Sequence, residues 1–247
     1  MKLLFDIGNS TIKCALADGA KLIDQALTLT DTDFDGLGKL WMDGEAPEGV
    51  FAARVGATAL TDALAQWTKA ELGLPINFVT PSADALGLKT LYKDPEKLGV
   101  DRWLAAIAGF RLTDSNVCVV DIGTAITLDV VLGDGVHVGG LIAPGEGLIA
   151  RALAQGTADL PMAAGIQRQG LALETRQAIG LGISEMIGGL LDRLHHRVTQ
   201  SYPGLYFDWL ITGGGGARCD WSGPAYCYVP DLVLQGLAAV AEESARA

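Results

Sequence analysis

The sequence predicts an α/β protein made of two related halves. Apolar runs that end in an acidic residue and glycine alternate with helical patterns along the 247 residues. One pattern occurs twice, because residues 4–12 (LFDIGNSTI) align with residues 119–127 (VVDIGTAIT). Each copy predicts a strand, an acidic turn, a second strand and a second turn. We interpret this repeat as an internal duplication with halves at residues 1–114 and 115–247, facing each other across a cleft.

The remaining elements follow from hydrophobic periodicity and turn residues. In the first half, strands are predicted at residues 3–6, 11–16, 22–29 and 76–79, and helices at residues 61–72 and 101–112. In the second half, strands are predicted at residues 116–121, 126–132 and 207–212, and a helix at residues 232–245. A long helix comes before the last strand, and its buried face is predicted to carry Ile183, Met186, Ile187, Leu190, Leu191, Leu194 and Val198.

The composition favours a folded protein that does not bind nucleic acid. Apolar residues make up 49% of the chain, which is enough for a substantial core. The net charge of −11 repels polyanions, and the sequence contains no basic stripe. A small anionic substrate would therefore need backbone N–H groups, one or two local cations and a metal ion.

The cysteines and histidines predict no zinc site. None of the four cysteines forms a Cys-x-x-Cys pair, and the three histidines lack metal-binding spacing. Cys14 and Cys118 fall in strand-like apolar runs and are predicted to be small core residues. The first apolar run is too short for a signal peptide, and no run of 18 apolar residues occurs. We therefore expect a cytoplasmic protein that is not inserted in a membrane.

Both Asp-Ile-Gly turns carry groups that can hold phosphate. The small and polar residues after the aspartate are Gly8, Asn9, Ser10 and Thr11 in the first copy, and Gly123, Thr124 and Thr127 in the second. Successive backbone N–H groups of such turns bind anions, and Lys13 adds a cation. Asp6 and Asp121 stand at strand ends and suit hard metal ions. Two ordinary hairpins are the alternative, although a matching pair in one chain favours the phosphate site.

Other nucleotide-binding motifs are absent from the sequence. There is no Gly-x-x-x-x-Gly-Lys-Ser/Thr motif and no Gly-x-Gly-x-x-Gly motif after a strand. A P-loop mechanism and a nucleotide-dependent dehydrogenase are therefore disfavoured.

A second group of residues, at positions 99–102, is suited to an alcohol acceptor. Asp101 can orient a hydroxyl and accept its proton, and Arg102 can hold a carboxylate with its planar guanidinium. In the alternative interpretation, Asp101 is only a helix N-cap and Arg102 is a solvated residue of the first turn.

Two further positions allow two interpretations each. The glycines at 213–216 could let a purine lie against bare backbone, or they could form a flexible loop. Thr175 could cap the long helix, contact a ligand, or both.

Together these motifs resemble one family over nearly the full chain. They are Asp6-Ile7-Gly8-Asn9-Ser10-Thr11-Ile12-Lys13, Tyr92-x-x-Pro95 leading into Gly99-Val100-Asp101-Arg102, Asp121-Ile122-Gly123-Thr124-Ala125, Gly139-Gly140-x-Ile142-x-Pro144-Gly145, Thr212-Gly213-Gly214, and the tail beginning at Pro230-Asp231. The sequence is similar to type III pantothenate kinases, of the acetate and sugar kinase, Hsp70 and actin superfamily.

The resemblance implies duplicated ribonuclease H-like (actin-like) domains with an active site in the inter-domain cleft. It implies phosphorylation of pantothenate by ATP to 4'-phosphopantothenate, the first step of coenzyme A biosynthesis. It further implies a homodimer with the acceptor pocket near its interface.

By the same resemblance, residues acquire expected roles. Asp101 would be the catalytic base, and pantothenate would contact Tyr92, Gly99, Val100, Asp101, Arg102 and Thr175. ATP would be held by Asp6, Ile7, Gly8, Asn9, Ser10, Thr11, Ile12, Lys13 and Thr124. Asp121 would bind a monovalent cation, K⁺ or NH₄⁺, and Mg²⁺ would accompany ATP near Asp6.

The chain departs from the family pattern at two places. Ser10 replaces a common threonine and keeps the hydroxyl group, and the bare Gly215-Gly216-Ala217 replaces a turn that is usually followed by an acidic residue. Two other functions are considered. One is a related kinase or phosphatase acting on a sugar or acyl phosphate, and the other is a non-catalytic regulatory or accessory protein with the same fold.

Overall fold

The computed structural model describes residues 1–8, 11–23, 27–29, 34–41, 46–55, 59–157, 160–161 and 170–246. Asn9 and Ser10, two of the predicted phosphate-binding residues, lie outside the described residues.

Strands and helices alternate along the described chain. The strands are β1 (Lys2–Ile7), β2 (Ile12–Asp18), β3 (Lys21–Leu22), β4 (Leu27–Leu29), β5 (Gly49–Arg54), β6 (Ile76–Phe78), β7 (Asp84–Ala85), β8 (Leu88–Thr90), β9 (Val117–Ile122), β10 (Ala125–Val131), β11 (Val136–Pro144), β12 (Asp208–Thr212) and β13 (Tyr226–Tyr228). The α-helices are α1 (Ala59–Glu71), α2 (Val100–Thr113), α3 (Glu146–Gly156), α4 (Thr175–Ser201) and α5 (Leu232–Arg246). Short 3₁₀ segments cover Asp35–Trp41, Pro95–Lys97 and Gly216–Arg218.

The first sheet is built around the hairpin that contains the first Asp-Ile-Gly turn. Its strand order is β3-β2-β1-β5-β6, with β4 paired to β2. Strands β1 and β2 are antiparallel, and their register places Asp6 opposite Lys13 and Ile7 opposite Ile12. Strand β5 is parallel to β1, and β6 is parallel to β5. The ends of β1 and β2 that flank the first Asp-Ile-Gly turn therefore lie within the sheet and not at its edge.

The second sheet repeats this strand order. It runs β13-β12-β9-β10-β11-β8-β7, so its strands β11-β10-β9-β12-β13 correspond to β3-β2-β1-β5-β6. Strands β12 and β13 are parallel, as β5 and β6 are. The predicted duplicated α/β fold is confirmed by this repeated order. The short strands β8 and β7 extend the second sheet beyond β11.

Most predicted elements are present, and the differences have local causes. The predicted strand at residues 22–29 corresponds to two short strands, β3 and β4, separated by residues 24–26, which lie outside the described residues. The sequence analysis did not predict β5, β7, β8, β11, β13 or α3. Strand β11 (VHVGGLIAP) contains adjacent glycines, which weaken the apolar alternation that identifies a strand.

The predicted buried face of the long helix is partly wrong. Ile183, Leu191, Leu194 and Val198 are buried in α4, but Met186 is 59% exposed. At 3.6 residues per turn, Met186 lies about 100° around the helix from the centre of the buried stripe. The prediction that Met186 is buried assumed an apolar stripe wider than the buried face of α4.

Two compact units divide the chain. The first comprises Met1–Val117, Asp129–Gly139 and Asp231–Ala247, and the second comprises Cys118–Leu128 and Gly140–Pro230. This division does not test where the duplicated halves meet, so the boundary at residues 114 and 115 stays a prediction.

The first unit has a core formed by β1, β2, β5 and α1. Buried side chains that pack together there include Leu3, Phe5, Ile12, Val50 and Leu64. Helix α5 is tied to β1 by a 2.6 Å ion pair between Lys2 Nζ and Glu242 Oε2. The far end of the chain therefore completes the unit that the N-terminal strand begins.

The second unit combines a helix pair with an aromatic cluster. Ala150 of α3 packs against Ile179 and Ile183 of α4. Trp209 and Trp221 stack edge to face at 5.0 Å between ring centroids. The indole Nε1 of Trp221 also donates to Asp192 Oδ1 at 2.7 Å, which fixes the segment after β12 on α4.

Cys14 and Cys118 are core residues, as predicted. Both are fully buried, and burial raises the pKa of the Cys14 thiol to about 12 and that of Cys118 as well. Neither thiol is therefore ionised near neutral pH.

In the described part of the chain, no helix combines the length and apolar character that crossing a bilayer requires.

Candidate active site

The first Asp-Ile-Gly turn closes tightly and is anchored in the core. The Gly8 N–H donates to the Thr11 carbonyl at 3.0 Å. Ile7 and Ile12 on either side are almost fully buried. These two predicted ATP-binding residues hold the turn in place with their side chains and can offer a ligand only their backbone groups.

Lys13 has an acidic neighbour that the sequence reasoning did not assign. Its Nζ lies 3.6 Å from Asp231 Oδ1, and both side chains are partly exposed. Asp231 appeared in the sequence only as part of the tail motif. Its position next to α5 brings a carboxylate to the cation predicted to contact phosphate, so Asp231 can set the orientation of Lys13.

The second Asp-Ile-Gly turn is buttressed by the start of α3. Asp121 lies near the end of β9, and Thr124 is exposed in the turn that leads to β10. The Gly145 N–H donates to the Thr124 carbonyl at 3.0 Å, and the Gly123 N–H donates to the Ala125 carbonyl at 2.9 Å. The structure therefore brings the Pro144-Gly145 motif onto this turn.

The glycine turn after β12 packs against Asp121. Gly213 has φ of +83°, and a Cβ at this position would collide with Asp121 Oδ1. The Gly215 N–H donates to the Ile122 carbonyl at 2.8 Å, and Tyr228 OH donates to the Gly213 carbonyl at 3.3 Å. These contacts contradict the interpretation of residues 213–216 as a flexible loop. Close packing accounts for Gly213, Gly215 and Gly216, with a positive φ at Gly213, whereas a Cβ at Gly214 would meet nothing within 4 Å. The interpretation of these glycines as a surface for a purine stays a prediction.

The surroundings of Asp121 fit a hard monovalent cation. A carboxylate and nearby backbone carbonyls are oxygen donors, which K⁺ and similar ions prefer. The Ile122 carbonyl oxygen lies on the same side of Gly213 as Asp121 Oδ1, so a backbone oxygen accompanies this carboxylate. Among the described residues, no group of three or more His, Cys, Asp or Glu side chains is arranged to hold a metal ion. A cation at Asp121 would therefore rely on backbone oxygens.

Asp101 is the second residue of α2, two positions beyond the N-cap position predicted for it. Gly99 holds the N-cap position, and Asp101 Oδ1 accepts the Arg102 N–H at 2.8 Å. The interpretation of Asp101 as the N-cap residue is therefore wrong. Asp101 therefore lies in the first turn of α2 with one carboxylate oxygen bonded to the backbone of the next residue.

Gly99 sets the position of that carboxylate. A Cβ on Gly99 would lie 2.6 Å from Asp101 Oδ1, closer than van der Waals contact allows. The predicted substrate-binding residue Gly99 therefore leaves the space that the Asp101 side chain uses. Val100, between them, is buried.

Arg102 is buried and paired with an acidic residue. It is only 5% exposed, and its Nε and Nη2 donate to the two carboxylate oxygens of Asp129 at 2.9 and 2.7 Å. Its Nη1 donates to Tyr92 OH at 3.0 Å. The interpretation of Arg102 as a solvated residue is therefore wrong. The structure does bring together Tyr92 and Arg102, two of the predicted acceptor-binding residues.

The charge of Arg102 is secured by its partners. Burial on its own would lower the pKa of the guanidinium, but the hydrogen bonds and charge of Asp129, with help from Tyr92, raise that pKa above its ordinary value. Arg102 is therefore a permanent cation.

Sequence reasoning missed Asp129 and His137. Asp129 is 2% exposed in β10, and His137 is fully buried in β11, where its Nε2 lies 2.9 Å from Asp129 Oδ1. A signal existed, because an aspartate within the apolar run at residues 126–132 is expected to have a buried partner. The sequence could not show that the partner is Arg102.

Thr175 is the first residue of α4 and is exposed, while Glu174 occupies the N-cap position. The capping interpretation of Thr175 is therefore wrong, and the ligand interpretation stays a prediction.

Together, the duplicated fold, an Asp-Ile-Gly turn in each sheet and a carboxylate at the start of α2 are the features expected of a small-molecule kinase. The family model described as type III pantothenate kinase matches residues 2–197. A type III pantothenate kinase of Nitrosococcus oceani is 37% identical over 255 aligned positions, covering 100% of this chain and 96% of its own. One of Alkalilimnicola ehrlichii is 36% identical and covers 98% of each chain. The chain belongs to the type III pantothenate kinase family.

Solved structures support the fold. A protein from Campylobacter jejuni titled a conserved putative Baf family transcriptional activator has a TM-score of 0.60 at 21% identity, covering 99% of this chain and 100% of its own. The activator of a 2-hydroxyisocaproyl-CoA dehydratase from Clostridium difficile, solved with ADPNP, has a TM-score of 0.56 at 12% identity, covering 99% and 95%. At these identities the likeness concerns the fold alone.

The space left by Gly99 can be tested by filling it. Gly99→Ala is expected to displace the Asp101 carboxylate and to lower kcat by roughly tenfold or more, since a misplaced base loses catalytic geometry. The control is Gly38→Ala, because a Cβ at Gly38 meets nothing within 4 Å. Steady-state kinetics and thermal melting of both variants measure the effect. A normal kcat in Gly99→Ala would contradict this role of Gly99.

Adjacent glycines provide a matched test of the turn beside Asp121. Gly213→Ala introduces both a strained φ and a collision, and is expected to lower the free energy of unfolding by about 1–3 kcal/mol. Gly214 is exposed, and a Cβ there meets nothing within 4 Å. Gly214→Ala should therefore change the free energy of unfolding by less than about 0.5 kcal/mol. Urea denaturation compares the two. Equal stability would show that the turn is not packed on Asp121.

Proposed function

We propose that this protein transfers the γ-phosphoryl group of ATP to the primary hydroxyl of pantothenate, giving 4'-phosphopantothenate, the first step of coenzyme A biosynthesis. The observation that carries the proposal is the arrangement at the start of α2. There the Asp101 carboxylate is held by the helix N-terminus, directly before a buried Arg102 that contacts Tyr92. Membership of the family supplies the identity of the acceptor.

Asp101 acts as the base in this proposal. Its carboxylate orients the acceptor hydroxyl and takes its proton as the oxygen attacks the γ-phosphorus in line. The Asp101 hydrogen bond to the Arg102 N–H leaves carboxylate lone pairs for the substrate. Little covalent chemistry is then required of the protein, since positioning and charge stabilisation dominate phosphoryl transfer.

The acceptor is bound by Tyr92, Gly99, Val100, Arg102 and Thr175 in this proposal. Tyr92 is partly exposed, and its hydroxyl accepts from Arg102 while keeping its own hydrogen to donate. This donor suits the carboxylate of pantothenate. Thr175 is exposed at the start of α4 and can add a hydroxyl contact.

ATP phosphates are assigned to the first turn, residues 6–13, and to Thr124 of the second. Lys13 is partly exposed and supplies a cation, with Asp231 orienting it. Asp121 would hold K⁺ or NH₄⁺, and Asp6 would lie near Mg²⁺. When bound, these ions would neutralise charge on the phosphates.

A homodimer is also proposed, with the acceptor pocket near its interface. Several large apolar side chains of the second unit are exposed: Ile142, Leu148, Leu153, Leu171, Leu173 and Met186. Leu171 and Leu173 are 87% and 95% exposed. Exposed apolar side chains are available for a protein contact, and self-association agrees with the family expectation. Because the reaction consumes ATP, we place the enzyme in the cytoplasm.

A non-catalytic role is the second candidate, since one structural neighbour is titled a putative transcriptional activator. A binding protein would not need a carboxylate held at a helix N-terminus, a permanent buried cation beside it and a lysine at the phosphate turn. The presence of Asp101, Arg102 and Lys13 therefore favours the enzyme.

Replacing the base tests the function directly. Asp101→Asn is expected to reduce phosphorylation of pantothenate by a factor of at least roughly 10² while leaving thermal stability nearly unchanged. Asp114→Asn is the matched control, because Asp114 is an exposed residue at the other end of α2. A coupled ADP-release assay with Mg²⁺ measures turnover. Activity of Asp101→Asn equal to that of Asp114→Asn would refute the assignment of Asp101.

The cation assignment predicts dependence on the monovalent ion. With Mg²⁺ fixed, replacing K⁺ or NH₄⁺ by Na⁺ is expected to lower turnover at least roughly tenfold. Asp121→Asn should raise the K⁺ concentration needed for half-maximal rate, because a neutral amide binds the ion more weakly. Titration of K⁺ at constant ionic strength distinguishes this effect from screening. A K⁺ response identical in both proteins would place the ion elsewhere.

A further inference from the structure

Five residues of the first unit form a closed circuit of hydrogen bonds, called here the Tyr92 ring. It comprises Tyr92, Thr90, His137, Asp129 and Arg102. The Tyr92 N–H donates to Thr90 Oγ1 at 3.2 Å, and Thr90 Oγ1 lies 2.9 Å from His137 Nδ1. His137 Nε2 lies 2.9 Å from Asp129 Oδ1, Asp129 accepts two bonds from Arg102, and Arg102 donates to Tyr92 OH. The circuit therefore begins and ends on Tyr92.

The acceptor role of Asp129 fixes one hydrogen of His137. The Asp129 carboxylate accepts both bonds from Arg102 and accepts from His137 as well, so His137 carries a hydrogen on Nε2. The Thr90 oxygen accepts the Tyr92 N–H. The Thr90 hydroxyl donates to His137 Nδ1 when that atom carries no hydrogen and accepts from it when it does, so the circuit is satisfied in both cases.

The ring is buried except at Tyr92. Thr90, His137, Asp129 and Arg102 are all buried, at most 7% exposed, whereas Tyr92 is partly exposed. The phenol of Tyr92 stacks on the His137 imidazole, with 6.1 Å between centroids and 11° between planes. The Arg102 guanidinium lies 5.7 Å from the centroid of the same phenol. Both the backbone and the phenol of Tyr92 are therefore held by residues that are largely buried.

Stability alone does not explain why charged residues are buried in this circuit. A buried ion pair is often no more stabilising than apolar side chains of similar volume, because both charges lose their hydration. What it does provide is one fixed geometry. Here the fixed groups are the Tyr92 hydroxyl and the guanidinium of Arg102, the residue that directly follows Asp101.

We infer that Thr90, His137 and Asp129 are positioning residues for the acceptor: they act through Tyr92 and Arg102 and fix these two groups for the carboxylate end of pantothenate. The inference rests on the proposed function and extends it to three residues. Three of the five Arg102 N–H groups are used by Asp129 and Tyr92, which leaves two for a ligand. Because Asp129 already balances the charge of Arg102, recognition depends on aligned donors rather than on net charge.

The sharpest test uses Thr90, which bonds directly to neither Asp101 nor Arg102 in this circuit and can be replaced by residues of similar shape. Thr90→Val keeps the shape but removes a donor and an acceptor from the circuit. It is expected to raise KM for pantothenate roughly tenfold, the effect of one or two lost hydrogen bonds, with KM for ATP unchanged. Thr90→Ser retains the hydroxyl and should return KM to within about twofold of the wild type.

The matched control is Thr68→Val. Thr68 is fully buried in the same unit, and its hydroxyl donates to the Ala65 carbonyl at 3.1 Å. It belongs to α1, which contributes no residue to the Tyr92 ring. A loss of stability alone would lower the active fraction of both valine variants without changing either KM. A double-mutant comparison adds Tyr92→Phe, in which Thr90→Val should have a smaller effect than in the wild type.

A measurement on the unaltered protein covers the case in which Thr90→Val does not fold. The chain has three histidines, so nitrogen NMR of histidine-labelled protein should give three resolvable rings. His137 is expected as the Nε2–H form, and saturating pantothenate should shift its signals although the imidazole is fully buried. A Nδ1–H form, or signals unchanged by pantothenate, would overturn the inference.

The outcomes separate this inference from the proposed function. Wild-type protein that does not phosphorylate pantothenate refutes the function, and the inference with it. Wild-type turnover with equal pantothenate KM in Thr90→Val and Thr68→Val refutes the inference alone. A raised pantothenate KM that Thr90→Ser restores supports both.

Discussion

The buried ion pair between Arg102 and Asp129 is the interaction on which the acceptor side of this molecule depends. It joins the first turn of α2 to the middle of β10, and through His137 it reaches β11 and β8. Removing either charge would leave the other buried without a partner, at a cost of about 3–5 kcal/mol. The position of Asp101 follows from the same pair, because Asp101 and Arg102 are consecutive residues and share a hydrogen bond.

The duplicated fold could be predicted because its signal is local and repeated. Each copy of the Asp-Ile-Gly turn sits between two apolar runs, and the strand order in the two sheets agrees with that repeat. Strand β11 was missed because its adjacent glycines weaken the alternation, and Met186 was misplaced because one helix face was assumed too wide. Such errors arise where packing, and not the local pattern, determines exposure.

In the candidate site, too, some features could be predicted from the sequence and others could not. The types of residue at positions 92, 99, 101 and 102 indicated an acceptor site, and the contact between Tyr92 and Arg102 agrees with that grouping. What the sequence could not provide was the pairing of Arg102 with Asp129, since 27 residues separate them in the chain. The same limit applies to Gly213, whose need for a bare α-carbon arises from Asp121, a residue distant in sequence. Contacts of this kind depend on the tertiary fold and leave little local trace.

The ion pair between Lys2 and Glu242 has a consequence for how the chain is made. The first unit contains both the earliest strand and α5, with the whole of the second unit encoded between them. On the ribosome, β1 emerges long before its helical partner, so the first unit remains incomplete until translation has passed residue 246. The second unit, whose segments end at Pro230, can be synthesised in full before that point. Folding order during translation is therefore expected to run opposite to the order in which the two units begin.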